Sequence, residues 1–296
     1  MEAGTLQPQP QQHDQVRRVL GQRPYENVRH DRTSHQYSMP YYARLSRESQ
    51  PGQANHKAPA VRRGAGRLTL PLAELAERPD LLEACGPRLA AELPVFCAPQ
   101  QEETVMRTLR RLKEQGLTHA LCGNLGALLM AREAGLEIIG DYGLNIINSP
   151  AARQAAELGC GAITLSFECE RGAAKNIASP VPLGVIAYGH LPLMLLRNCP
   201  GKTAAGCGDC TGINRITDRR GEDFPLQCER RQYTHLLNPR PLLLCDRLPE
   251  WDFCDFLTLR FTVESPAECD EVLKMYQTGA APAGQFTRGL YYRTLK

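Results

Sequence analysis

Four cysteines fall within the 32 residues RNCPGKTAAGCGDCTGINRITDRRGEDFPLQC, 197–228. Cys199, Cys207, Cys210 and Cys228 are separated by seven, two and seventeen residues. The surrounding residues are polar, glycine-rich or basic, so no hydrophobic core explains the thiols. In the Cys207-Gly-Asp-Cys210 knuckle the glycine lets the turn close, and two thiolates can then share one metal. Four thiolates suit a tetrahedral zinc ion or a cubane iron–sulfur cluster, and spacing alone does not choose between them. Four unrelated reduced thiols are the ordinary alternative.

A second group of candidates follows the apolar runs. Gly123 and Asn124 come after THALC, and Asp141, Tyr142, Asn145 and Asn148 after LEIIG. Glu168 and Cys169 come after AITLS, and His190 follows GVIAYG. If the runs are neighbouring parallel strands, these side chains converge at one end of a sheet. Asp141, Glu168 and His190 then form a candidate acid–base set. Asn124, Asn145, Asn148, Tyr188 and Arg197 are candidates for holding a polar substrate. Each also has a structural reading. Asp141 and Asn145 can cap a turn, Glu168 can be a first-turn acid, and His190 can bond a backbone carbonyl. No G-x-S-x-G elbow and no H-E-x-x-H pair supports a serine or zinc hydrolase.

The elements that must position these residues are legible from Arg67 onward. RLTLPL, LPVFCAP, THALCGN, LEIIGDYG, GAITLSFE, PLGVIAYG, PLLLCD and FLTLRFTV read as strands, nearly continuous apolar runs of the kind buried on both faces. Helices lie between them. ETVMRTLRRLKEQG puts Val105, Leu109 and Leu112 on one face. NLGALLMAREAG has Asn124 as cap and Gly135 as stop, and SPAARQAAELG has Ser149 as cap, Pro150 next and Gly159 as stop. SPAECDEVLKMYQTG starts on Ser265. A recurring helix–Gly–strand unit predicts a TIM-like (βα)8 barrel with a cysteine-rich, metal-binding insertion after the sixth strand. A doubly wound open sheet is the second choice, and no nucleotide-binding glycine motif favours it.

Charge divides the chain. Residues 1–65 hold ten Lys/Arg against five Asp/Glu and four of the seven histidines, whereas the remainder holds 25 basic and 27 acidic residues. The expected organisation is a basic, largely disordered arm or domain remnant over 1–65, a barrel over 66–280 including the Cys-rich loop 197–228, and a tail over 281–296. Short elements are expected within RRVLGQRPYENVRHDRTSHQYSMPYYARLSRE. The first residues look unlike a signal peptide, and no apolar run is long enough to span a membrane, so a cytoplasmic location is expected. In that compartment thiols stay reduced, and a disulfide framework is not expected.

The run GDYGLNIINSPAARQAAELGCGAITLSFE, followed by VIAYGHLPLMLLRNCP, resembles peptidase family U32, the collagenase-like proteins, and in particular the C-terminal part of the longer bacterial members. Asp141, Asn145, Asn148, Ser166, Glu168, Tyr188, Gly189, Leu191, Pro192, Met194 and Cys199 match the pattern, as do ITDRRGEDFPLQC and FTRGLYY. The resemblance implies a TIM-like barrel and a 4Fe–4S cluster on Cys199, Cys207, Cys210 and Cys228. His190 stands where relatives of this subtype carry Arg, and Pro192 where one of the family's thiols lies. The family is named for proteolysis, yet several members hydroxylate tRNA, ribosomal RNA or a quinone precursor.

Three readings follow. The first is an iron–sulfur-dependent RNA-modifying factor, with ribosomal or transfer RNA as partner and with the basic arm, Arg215, Arg219 and Arg220 near phosphates. The second is a collagenase-like peptidase acting on peptides, with a structural zinc in the Cys loop. The third is one half of a split assembly, in which a partner supplies the missing N-terminal half.

Overall fold

The computed structural model describes residues 41–46, 66–202, 207, 213–230, 232–281 and 284–293. Most of the expected arm, and Cys210, lie outside these residues. The fold is mixed α/β, built on a curled and mainly parallel sheet. Its strands are β1 (Tyr41–Ser46), β2 (Arg67–Pro71), β3 (Leu89–Glu92), β4 (His119–Cys122), β5 (Glu137–Gly140), β6 (Cys160–Thr164), β7 (Leu183–Gly189), β12 (Leu242–Leu243) and β13 (Phe256–Phe261). From β2 to β7 each strand pairs in parallel with the next, and β7 pairs in parallel with β13. This sequential order has no switch point and rules out the doubly wound alternative.

The strict (βα)8 pattern is not reproduced. β1, from the segment expected to be mostly disordered, runs antiparallel between β13 and β2. PLLLCD contributes only Leu242 and Leu243, which pair antiparallel with the end of β7. The second strand is LAAE rather than LPVFCAP. Pro94 has no N–H for a ladder, so the chain leaves the sheet there and forms a loop.

Helices cover the sheet: α1 (Leu72–Glu77), α2 (Asp80–Cys85), α3 (Pro99–Glu114), α4 (Leu125–Glu133), α5 (Ser149–Glu157), α6 (Arg171–Lys175) and α7 (Pro266–Thr278). The α3 stripe behaves as its spacing predicts. Leu109 and Leu112 are fully buried, each worth about 1.5–3 kcal/mol of removal from water. Gly135 and Gly159 follow α4 and α5 with positive φ, as expected of stops. Ser265 caps α7 in a reciprocal capping box with Glu268. The α5 cap is Asn148, whose side chain accepts from the Ala151 N–H at 2.9 Å. Ser149 instead accepts from the Ala178 N–H at 2.9 Å, tying α5 to the loop before β7.

Every residue of β7 is buried, as its unbroken apolar run requires. It ends at Gly189 with φ 135°, where a Cβ would sit 2.2 Å from the Arg260 carbonyl oxygen. Only glycine lets β7 press so closely on β13. After β7 the chain builds a separate antiparallel sheet from β8 (Pro192–Leu196), β9 (Ile213–Thr217), β10 (Asp223–Glu229) and β11 (Tyr233–Leu237), in the order β8-β11-β10-β9. Of the cysteine stretch, Cys228 lies on β10 of this sheet and Cys199 follows β8. Tyr291, in the closing FTRGLYY, is buried and donates from its hydroxyl to the Ile186 carbonyl at 2.9 Å. Among the described residues no helix is long and apolar enough to cross a membrane.

Candidate active site

The small sheet stands over the C-terminal ends of β2, β3 and β13, the sheet end where α/β folds place their sites. Between them lies a cavity of about 370 Å³. Glu92 from the end of β3, Arg260 from β13, and Glu229, Tyr233 and His235 from the small sheet line it. Pro94, Val95 and Phe96 form an apolar wall. That wall is held by Asn124, whose amide donates to the Pro94 and Val95 carbonyls at 3.3 and 3.2 Å. The same side chain accepts from the Ala127 N–H at 2.8 Å and so caps α4.

Arg260 is the centre of the site. Only 3% of it is exposed, and one of its guanidinium nitrogens donates to the Tyr142 hydroxyl at 2.6 Å. Its guanidinium carbon also lies 4.9 Å from the centroid of the Tyr142 ring. Burial pushes the Tyr142 phenol up to about 12, and nearby Asp141 and Glu92 add to the rise while Arg260 opposes it. Burial likewise raises the Glu229 carboxyl, against the pull of Arg260 and Arg230. His235 moves the other way. Burial, and then the Arg260 charge, lower its imidazole to about 3, so the ring is neutral at physiological pH. The site therefore gathers Glu92, Asp141 and Glu229 around one buried cation, beside a neutral histidine.

Two contacts fasten the small sheet to the main one. Arg230, at the β10–β11 turn with φ 48°, pairs with Glu77 of α1 at 2.5 Å and reaches Glu74 at 3.9 Å. Arg197, beyond β8, lies over the Phe96 ring at 5.7 Å.

The residues singled out in the sequence are distributed as follows. Asp141 joins the Arg260 group and is 6% exposed. Asn124 braces the cavity wall. Tyr188 and His190 meet elsewhere, at Glu264 beyond β13. Burial, and then Glu264, push the Tyr188 phenol up. The His190 Nδ1 lies 2.7 Å from the Asn238 carbonyl and its Nε2 lies 4.0 Å from a Glu264 oxygen. Glu168 is exposed. Asn145 is an exposed turn residue with φ 53°, and Asn148 is an exposed cap. Arg215 pairs with Asp223 at 3.4 Å on an exposed hairpin that also carries Arg219 and Arg220. The sequence reading did not single out Glu92, Gln227, Glu229, Tyr233, His235 or Arg260.

The thiols can be tested against a shared metal by their placement. Cys228 is on β10, cross-strand from Thr234. The turn carrying Cys199 closes with the Lys202 N–H donating to the Cys199 carbonyl at 3.1 Å. A Cβ on Gly201 in this turn would sit 2.5 Å from the Asn214 amide nitrogen. Asn214 pairs with Leu226, two residues before Cys228, so Asn214 and Cys228 share one face of the small sheet. The Cys199 turn thus lies on the face that bears Cys228, and Cys199, Cys207 and Cys228 are all half-buried. The thiols have the donor chemistry of a thiolate-bound centre. Among the described residues no group of three or more His, Cys, Asp or Glu side chains has a metal-binding arrangement, Cys210 being outside them.

A family model described as peptidase family U32 matches residues 54–277. No curated protein matches the chain.

Proposed function

The chain belongs to peptidase family U32, and from that premise we propose that it is an iron–sulfur-dependent RNA-modifying member, of the kind that hydroxylates ribosomal or transfer RNA. One observation carries the reading: β10 bears Cys228 and Glu229 side by side. Adjacent residues of a strand face opposite sides, so Cys228 looks to the thiol face and Glu229 into the cavity. A thiol-bound centre and a substrate pocket would be separated by the thickness of one strand.

Cys199, Cys207, Cys210 and Cys228 would hold a 4Fe–4S cluster, which supplies electron transfer when bound. The chain's own residues do the rest. The cavity is near the lower end of the range for small-molecule pockets and suits one nucleobase taken out of its stack. Pro94, Val95, Phe96 and Tyr233 offer flat, apolar walls. Arg260 fixes Tyr142 and offsets the carboxylates of Glu92, Asp141 and Glu229. Glu229, its carboxyl raised by burial, faces the substrate cavity as the candidate acid–base group. The basic residues before Arg67 and the exposed Arg215, Arg219 and Arg220 would meet phosphates outside the cavity.

Proteolysis is supported less well. Among the described residues, the one cysteine lining the cavity, Cys97, has its thiol raised by burial and by Glu102, the reverse of an activated nucleophile. The test is mass spectrometry of nucleosides from ribosomal and transfer RNA of cells lacking the gene. One modified nucleoside should disappear, return with the wild-type gene, and stay absent with Cys228→Ser. An unchanged nucleoside profile, together with cleavage of a peptide library by the purified protein, would replace this reading with the peptidase one.

A further inference from the structure

Among the described residues, Nδ1 of His235, which lines the cavity, and both amide atoms of Gln227, its cross-strand neighbour, are buried without a hydrogen-bond partner. His235 is 6% exposed and Gln227 is 2% exposed. The two residues are direct cross-strand partners on β11 and β10. Strand alternation puts them on the same face as Glu229 and Tyr233, the face turned to the cavity that His235 itself lines. Native folds rarely leave such groups unpaired without something to meet them.

The chemistry of the unmet atoms defines what that something is. A neutral imidazole offers one donor and one acceptor, and a primary amide offers both. Their complement is a ligand edge carrying donors and acceptors side by side, without charge. Glu77, Glu92 and Glu229 line the cavity against Arg230 and Arg260, and Arg230 is already paired with Glu77 and Glu74, which disfavours a phosphate or carboxylate inside it. The aromatic ring of Tyr233 stands edge-on to the His235 ring, with centroids 5.5 Å apart. A flat ring resting against Tyr233 would find the polar pair at its rim.

We propose that His235 and Gln227 read the hydrogen-bonding edge of an uncharged nucleobase held in this cavity. This assignment rests on the RNA reading above. Gln227 and His235 are specificity-determining residues in it, and the phosphate backbone stays outside.

The test is direct binding. Uridine, cytidine, adenosine, guanosine and a blocked peptide amide are titrated into the anaerobically purified full chain, followed by calorimetry and ligand-observed NMR. At least one nucleoside should bind, and a ribosyl benzene, which keeps the flat ring but lacks the polar edge, should bind at least tenfold more weakly. His235→Phe and Gln227→Leu should each weaken the nucleoside at least tenfold, while Arg153→Gln, on the exposed face of α5, should leave it unchanged. The proposal is overturned if no nucleoside binds at millimolar concentration, if ribosyl benzene binds as well, or if the peptide amide binds in their place. The RNA nucleoside profile is an independent readout. Binding without any lost modification would retain the reading pair and remove the proposed reaction, and lost modification without binding would do the opposite.

Discussion

The neutral state of His235 has a measurable consequence for stability. In the unfolded chain its imidazole titrates near the ordinary value of 6.5, whereas in the fold burial and Arg260 hold it at about 3. Below the unfolded value the unfolded chain binds a proton that the folded one refuses. Stability therefore falls as pH drops through 6.5 and goes on falling until about 3. Linkage gives a loss of about 2 kcal/mol between pH 7 and pH 5 from this residue, reaching about 4 kcal/mol by pH 3. In a chain of this size about 1 kcal/mol moves the thermal midpoint by about 2–4 °C, so the step from pH 7 to pH 5 is worth about 4–8 °C. His235→Leu removes this contribution and leaves every other titrating group in place. Thermal melts of both proteins at pH 7 and pH 5 should show the wild-type midpoint falling further than the variant's by that amount. Parallel falls would refute the burial argument and return His235 to the set of ordinary, charged surface histidines.

Other substitutions test the scaffold of the site. Asn124→Ala removes a helix cap and two bonds to the Pro94–Val95 wall, and should cost about 2–3 kcal/mol in urea denaturation, with nucleoside binding weakened as the wall loosens. Gly189→Ala puts a methyl against the Arg260 carbonyl at a positive φ and should cost about 3 kcal/mol or more, read as loss of soluble protein or a much lower melting midpoint. Ser265→Ala breaks the α7 capping box and should cost about 1 kcal/mol by the same denaturation assay.

Several elements could be read from residues alone because local chemistry determines them. Gly135 and Gly159 end their helices because the chain must take a positive φ there. Ser265 caps α7 because its hydroxyl reaches the Glu268 N–H. β3 was missed because LAAE has weak strand propensity and is buried by its neighbours, whereas the more apolar LPVFCAP beside it is a loop that becomes a cavity wall. β1 was hidden because only its pairing with β13 and β2, distant in the chain, makes it a strand.

The candidate site was partly legible. Asn124 and Asp141 follow predicted strands; Asn124 bonds the Pro94 and Val95 carbonyls of the cavity wall, and Asp141 lies close enough to Tyr142 to raise its phenol. Glu168 and Asn148 also follow strands, but their side chains are exposed. Arg260, His235 and Glu92 share a sequence signal, a charged residue or histidine inside an otherwise uncharged run: FLTLRFTV, YTHLL and LAAELPVF. A buried strand tolerates such a residue only when a partner or a ligand meets it. The small sheet was not foreseen because its strands pair across a polar, glycine-rich stretch whose periodicity is weak.

The central claim is that the four cysteines hold a redox cluster on the strand that also lines the substrate cavity. Metal analysis and a visible spectrum of the anaerobically purified protein, wild type beside Cys228→Ser, test it most directly. The account predicts about four irons per chain and broad visible absorption, both lost in the variant. One zinc per chain and a colourless protein would contradict it, leaving the thiols a structural role.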